Sequence, residues 1–62
     1  MFKQYDIVIT KEDFERIPEG TIGTVLEVYE NNDYEVEFVN AEGKTVKLLT
    51  INEKHLIRPK GH

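Results

Sequence analysis

Apolar and polar residues alternate along this chain in short runs separated by turn-forming residues, the pattern of half-buried antiparallel strands and not of helices. Five strands are predicted. The first covers residues 5–10, with Tyr5, Ile7 and Ile9 on one face and Asp6, Val8 and Thr10 on the other, Val8 keeping that second face from being purely polar. The second covers 24–29, opened by Gly23, and Val25 and Val28 break its alternation by one residue, which a β-bulge reconciles. The third, 34–39, alternates most cleanly: Tyr34, Val36 and Phe38 face the core, while Glu35 and Glu37 face water because an unpaired buried carboxylate is costly.

The connections carry their own signals. Residues 11–20 form a charged excursion in which Pro18 and Gly20 stop any regular element, and Phe14 and Ile17, three apart, share one side of a single helical turn that lids a barrel end. Glu30, Asn31, Asn32 and Asp33 tolerate left-handed backbone and predict a tight hairpin. Asn40, Ala41, Glu42 and Gly43 predict a type I turn with a glycine bulge, returning a fourth strand over 44–50 with Val46 and Leu48 on one face. Residues 51–55 read as one 3₁₀ turn before a short closing strand, 56–58, that Pro59 ends. Strands this short bury their apolar face by curling, so the fold class is all-β, a small five-stranded barrel with one long loop and a 3₁₀ turn before the last strand.

At 62 residues only one domain fits, expected over 1–59 with a loose tail at 60–62. There is no cysteine and there are two histidines, so no disulfide framework, ordinary zinc site or other cofactor is expected. No signal-like or membrane-spanning apolar run is present, which makes a cytoplasmic protein the expectation. The chain also contains no serine, so His55 has neither serine nor cysteine to activate, and no catalytic residue or enzyme activity is expected.

Charge sharpens the picture. Residues 1–43 hold eleven acids and three bases, and residues 44–62 one acid and five bases, a division of −8 against +4. Glu27, Glu30, Asp33, Glu35 and Glu37 fall within eleven positions that contain no base. Glu27, Tyr29, Glu35 and Glu37 are therefore the candidate binding residues, for a basic protein partner. Glu35 and Glu37, spread along a strand face with no implied pocket, are not expected to hold a metal. Lys54, His55 and Arg58 make a second candidate, a nucleic-acid surface, against which the net charge of −4 and the lack of interleaved exposed aromatics both weigh. Tyr5, Phe14, Tyr34 and Phe38 read as core or barrel-end packing and Tyr29 as the exposed aromatic, and any clustering of Val8, Leu26, Val39 or Leu49 at the surface would mark a protein interface or a weak homodimer contact in an otherwise monomeric chain.

The residues Tyr5-Asp6-Ile7-Val8, Gly20-Thr21-Ile22-Gly23-Thr24-Val25, Tyr34-Glu35-Val36-Glu37-Phe38 and Leu56-Ile57-Arg58-Pro59, in this order and spacing, resemble the small bacterial family of uncharacterised SH3-like barrels termed domain of unknown function 4926. The resemblance covers roughly residues 5–59 and implies an SH3-like barrel without implying an activity. More distantly, the glycine step and the closing Leu-x-x-Pro are similar to KOW-type SH3-like barrels of ribosomal and transcription proteins, and to the barrel subunit of photosystem I. Those jobs are unrelated, so the resemblance bears on fold and not on function.

Overall fold

The computed structural model describes residues 1–40 and 42–60, with the Val46 side chain left out. Its strands are β1 (Ile7–Thr10), β2 (Ile22–Val28), β3 (Asp33–Val39), β4 (Thr45–Asn52) and β5 (Leu56–Ile57), joined by one long loop, two hairpin turns and a 3₁₀ turn at Glu53–His55. All pairings are antiparallel, in the order β4-β3-β2-β1-β5. The sheet curls into the half-barrel expected of an SH3-like fold, and no α-helix occurs among the described residues.

Cross-strand partners show what the curl encloses. Val8, Gly23, Phe38 and Lys47 form one row across four strands, and Val25, Val36 and Leu49 form the next. Val8, Val25, Tyr34, Val36 and Phe38 have no exposed surface, and Ile51, Ile17, Leu56 and Phe2 complete the core. Gly23 is required by this packing, since a Cβ there would stand 2.6 Å from Val36 Cγ1 and 2.9 Å from the Phe38 ring. Phe2, outside every predicted element, seals one end with its ring edge-on to Tyr34 at 5.5 Å and the Arg58 guanidinium 4.9 Å above it.

In β1 the inward face is the second of the two, Val8 and Thr10, while Tyr5 is 68% and Ile7 45% exposed. Burial of Thr10 is made affordable by its hydroxyl, which donates to the Pro18 carbonyl at 2.7 Å and accepts the Thr21 N–H at 2.9 Å. Tyr5, expected in the core, is therefore a surface residue.

The bulge predicted in β2 is present: the register shifts between Val25 and Glu27, and the Leu26 carbonyl accepts from Gln4 Nε2 at 3.0 Å. Asn31 and Asn32 both adopt positive φ in the hairpin before β3, and Gly43 does so in the turn before β4. A second register shift, between Phe38 and Val39, sets the phase of β4 so that Leu49 and Ile51 turn inward and Leu48 outward. Ile51, expected at the start of the 3₁₀ turn, lies within β4. Ala41, the Val46 side chain and the end of the expected tail, 61–62, lie outside the described residues.

The long loop departs from expectation in its shape. Phe14 and Ile17 do not sit on a helical turn. They exchange backbone hydrogen bonds of 2.8 and 2.7 Å across Glu15 and Arg16, both at positive φ, in a two-residue hairpin. The lid role survives, with Ile17 buried and Phe14 half-buried against the core. Lys47, on the concave side of β4, spans the seam and donates from Nζ to the Glu15 carbonyl at 3.2 Å.

Candidate functional site

The bulge at Leu26 brings Glu27 directly opposite Glu35 on the outward face of the sheet. Without that extra residue, the register of Val25 with Val36 would have carried Leu26 to this position instead. Glu37 follows two residues after Glu35 on the same face, opposite Thr24 on one side and Leu48 on the other. Three of the four candidate binding residues are thus neighbours, and Tyr29, 46% exposed, follows at the end of β2.

Two of these carboxylates, Glu35 and Glu37, are held in place. Thr50 Oγ1 donates to Glu35 Oε1 at 3.1 Å and Thr45 Oγ1 to Glu37 Oε2 at 2.6 Å, so β4 orients the acids of β3 without neutralising them. No ion pair involves Glu27, Glu35 or Glu37 among the described residues. The field is felt by Tyr29, whose hydroxyl pKa is raised first by desolvation and then by the charges of Glu35 and Glu27. Like charges directly opposite each other on a sheet destabilise it modestly.

The basic candidates are dispersed by comparison. His55 Nδ1 lies 2.5 Å from Glu12 Oε2, with its ring packed on Phe14 at 4.7 Å. Arg58 donates to the Met1 carbonyl at 2.8 Å and to Asp6 Oδ2 at 3.3 Å. The Lys3 backbone N–H and then this guanidinium hold the Asp6 carboxyl below its ordinary range. Asn52 caps the turn, its Oδ1 accepting the Lys54 backbone N–H at 3.0 Å, and the Lys54 side chain is exposed. Lys54 and Arg58 share a polar cleft with Lys11, whereas His55 does not line it.

Of the aliphatic residues singled out for surface clustering, Val8 is fully buried and Leu26, Val39 and Leu49 are half-buried. The exposed aliphatics are instead Ile7, Ile22 and Ile57, with Val28 and Leu48. Nothing in the sequence marks the isoleucines, because Ile7-Val8-Ile9 is apolar at every position and gives no phase for β1. Thr10, whose hydroxyl binds the loop, was the residue that fixed it. No group of three or more residues suited to hold a metal ion occurs among the described residues.

Comparison with known proteins adds a family. A family model described as "Domain of unknown function (DUF4926)" matches residues 4–58. No curated protein and no solved structure matches the chain.

Proposed function

The chain belongs to the DUF4926 family, and from that premise we propose that it is a noncatalytic protein-interaction module that docks on a basic partner protein through the acidic face of β2 and β3. The observation that carries this reading is the cluster of Glu27, Glu35 and Glu37, outward-facing and without an ion-pair partner among the described residues. Lysine and arginine side chains of a partner complete it with charge-assisted hydrogen bonds, and the field steers their approach. Because Thr45 and Thr50 already orient two of the acids, less side-chain freedom is lost on docking. An antitoxin-like or accessory subunit, bacterial and cytoplasmic, that covers a basic surface on a larger protein is the form that fits the chain's size and charge.

The test is association with a basic protein encoded beside this chain, measured across salt concentration for the native chain and for Glu35→Lys/Glu37→Lys. Affinity should fall with salt and collapse in the charge-reversed chain. Equal affinity of the two chains defeats the reading.

A KOW-like nucleic-acid module is the second reading, favoured by the cleft that Lys11, Lys54 and Arg58 line together. It requires binding of a short RNA or DNA at low salt that weakens steeply as salt rises and that Lys54→Ala reduces.

A further inference from the structure

Beside the carboxylates, the same convex face carries a row of apolar side chains. Ile57 on β5, Ile9 on β1 and Ile22 on β2 are successive cross-strand partners. Val39 extends the row onto β3, because Gly23 and Phe38 are partners and Ile22 and Val39 flank them on the same side. At a strand spacing of about 4.8 Å the row is roughly 14 Å long. Ile22 is 51%, Ile7 45% and Ile57 42% exposed, while Ile9 is half-covered by a neighbour on each side. Threonine would meet the conformational demands of a solvent-facing strand equally well, so the isoleucines add apolar area that the fold itself does not require. Contiguous apolar surface of this kind marks an interaction site. At the Val39 end the row opens into a cleft of about 470 Å³ between the long loop and the sheet, walled by Pro18, Thr21, Ile22 and Val39.

The acids lie alongside this row. The next row on the face is Ile7, Thr24, Glu37 and Leu48, and the one beyond holds Glu27, Glu35 and Thr50. Successive rows are about 7 Å apart, so Glu37 stands about 7 Å and Glu27 and Glu35 about 14 Å from the apolar row, within the span of a helix and its long flanking side chains. An extended segment shows one line of side chains to a surface and would cover either the apolar row or the acids. An α-helix is about 10 Å wide, and a helix with an apolar side flanked by lysine or arginine meets both at once.

We infer that the convex face is a two-part docking surface for a basic amphipathic helix of the partner protein, its apolar side on Ile7, Ile9, Ile22 and Ile57 and its cations over Glu27, Glu35 and Glu37. This rests on the basic-partner reading above and adds the shape of the partner and the apolar half of the contact.

The six isoleucines supply the probe, since Ile17 and Ile51 are buried and serve as internal controls. The chain is labelled with ¹³C at the isoleucine δ1 methyls and titrated with an amphipathic leucine–lysine peptide of about 18 residues, long enough for five helical turns. A shuffled peptide of the same composition is the comparison. The amphipathic peptide should shift the methyls of Ile7, Ile9, Ile22 and Ile57 and leave those of Ile17 and Ile51 in place, and the shuffled one should shift none. Ile22→Thr/Ile57→Thr should weaken binding about tenfold or more at an unchanged melting temperature. If that variant binds as tightly as the native chain while Glu35→Lys/Glu37→Lys does not bind, the helix inference is overturned and the acidic docking face stands. If neither variant alters binding, both fall. Methyl shifts that depend on protein concentration without peptide assign the apolar row to a second copy of this chain and overturn the inference.

Discussion

The Tyr34 hydroxyl donates to Glu53 Oε1 at 2.8 Å, joining a fully buried ring of β3 to the 3₁₀ turn that precedes β5. The same hydroxyl accepts the Phe2 backbone N–H at 3.0 Å, so one atom ties three distant parts of the chain together. Tyr34→Phe leaves that N–H without its acceptor and the Glu53 carboxylate with the Met1 amino group alone. The expected loss is about 1–3 kcal/mol, read as a lower urea midpoint at unchanged slope. A midpoint equal to that of the native chain would show that water replaces the hydroxyl.

The junction also predicts acid sensitivity. Glu53 is held below the ordinary carboxylate range, first by the Tyr34 hydroxyl and then, against desolvation, by the Met1 amino group 3.3 Å away. Asp6 is lowered too, by the Lys3 N–H and then Arg58. Both groups bind protons less readily when folded than when unfolded. Their stabilisation is therefore complete above the unfolded carboxylate range and is lost as pH falls through the folded values. Urea midpoints should be flat near neutrality and decline in acid, and Tyr34→Phe should make the decline shallower by returning Glu53 toward its ordinary range.

Gly23→Ala tests the central row of the core. The added methyl meets Val36 at 2.6 Å and Phe38 at 2.9 Å, and both residues are fully buried, so neither has room to yield. Overpacking of this kind costs about 1–3 kcal/mol. Gly20→Ala is the contrast, since its methyl meets nothing within 4 Å and the loss comes only from a backbone at φ +84°. Multidimensional NMR of the two variants should show perturbed Val36 and Phe38 resonances only for Gly23→Ala.

Thr10→Val keeps the shape of a buried residue and removes a hydroxyl that serves both Pro18 and Thr21. The Pro18 carbonyl keeps the Thr21 hydroxyl at 2.6 Å and the Thr21 N–H at 3.3 Å, so the loss should be that of the hydrogen bonds alone, about 0.5–1.5 kcal/mol each. It should also speed hydrogen exchange at the Thr21 amide more than at the amides of β3. Uniformly faster exchange would mean that the hydroxyl supports the whole barrel and not the loop in particular.

Glu27→Lys separates stability from docking. Opposite Glu35, a lysine exchanges a like-charge pair for an attractive one, and the barrel should gain about 0.2–1 kcal/mol. The Tyr29 hydroxyl, measured by ultraviolet titration, should move part of the way back to its ordinary pKa, the shares of desolvation and of Glu35 remaining. Binding of a basic partner should weaken in the same variant. A more stable chain that still binds as before would exclude Glu27 from the docking face.

Residues whose neighbours alternate cleanly announced their place, and those beside an insertion did not. Tyr34, Val36 and Phe38 turn inward as their spacing requires, and Asn31, Asn32 and Gly43 take the left-handed backbone for which they are suited. Leu48 and Leu49 are adjacent and equally apolar, and which of them faces the core depends on a register shift that alternation alone does not locate. Glu15 and Arg16 form a two-residue turn without the glycine or asparagine that advertises one, so the shape of the long loop was hidden. The carboxylates were legible as a group, but the opposition of Glu27 and Glu35 depends on cross-strand register. The isoleucine row is further from view, since its members are scattered from Ile7 to Ile57 and meet only when β1 lies between β2 and β5.

Lys47 has a bearing on how copies of this chain meet in concentrated solution. β4 ends the sheet and offers eight residues of edge to any passing strand. A strand aligned there would close over the ammonium on the concave side, removing it from water and disturbing its bond to Glu15. The side chain that braces the barrel's seam thus also acts as a gatekeeper, making edge-to-edge growth into aggregates costly at the place where the fold is most open to it.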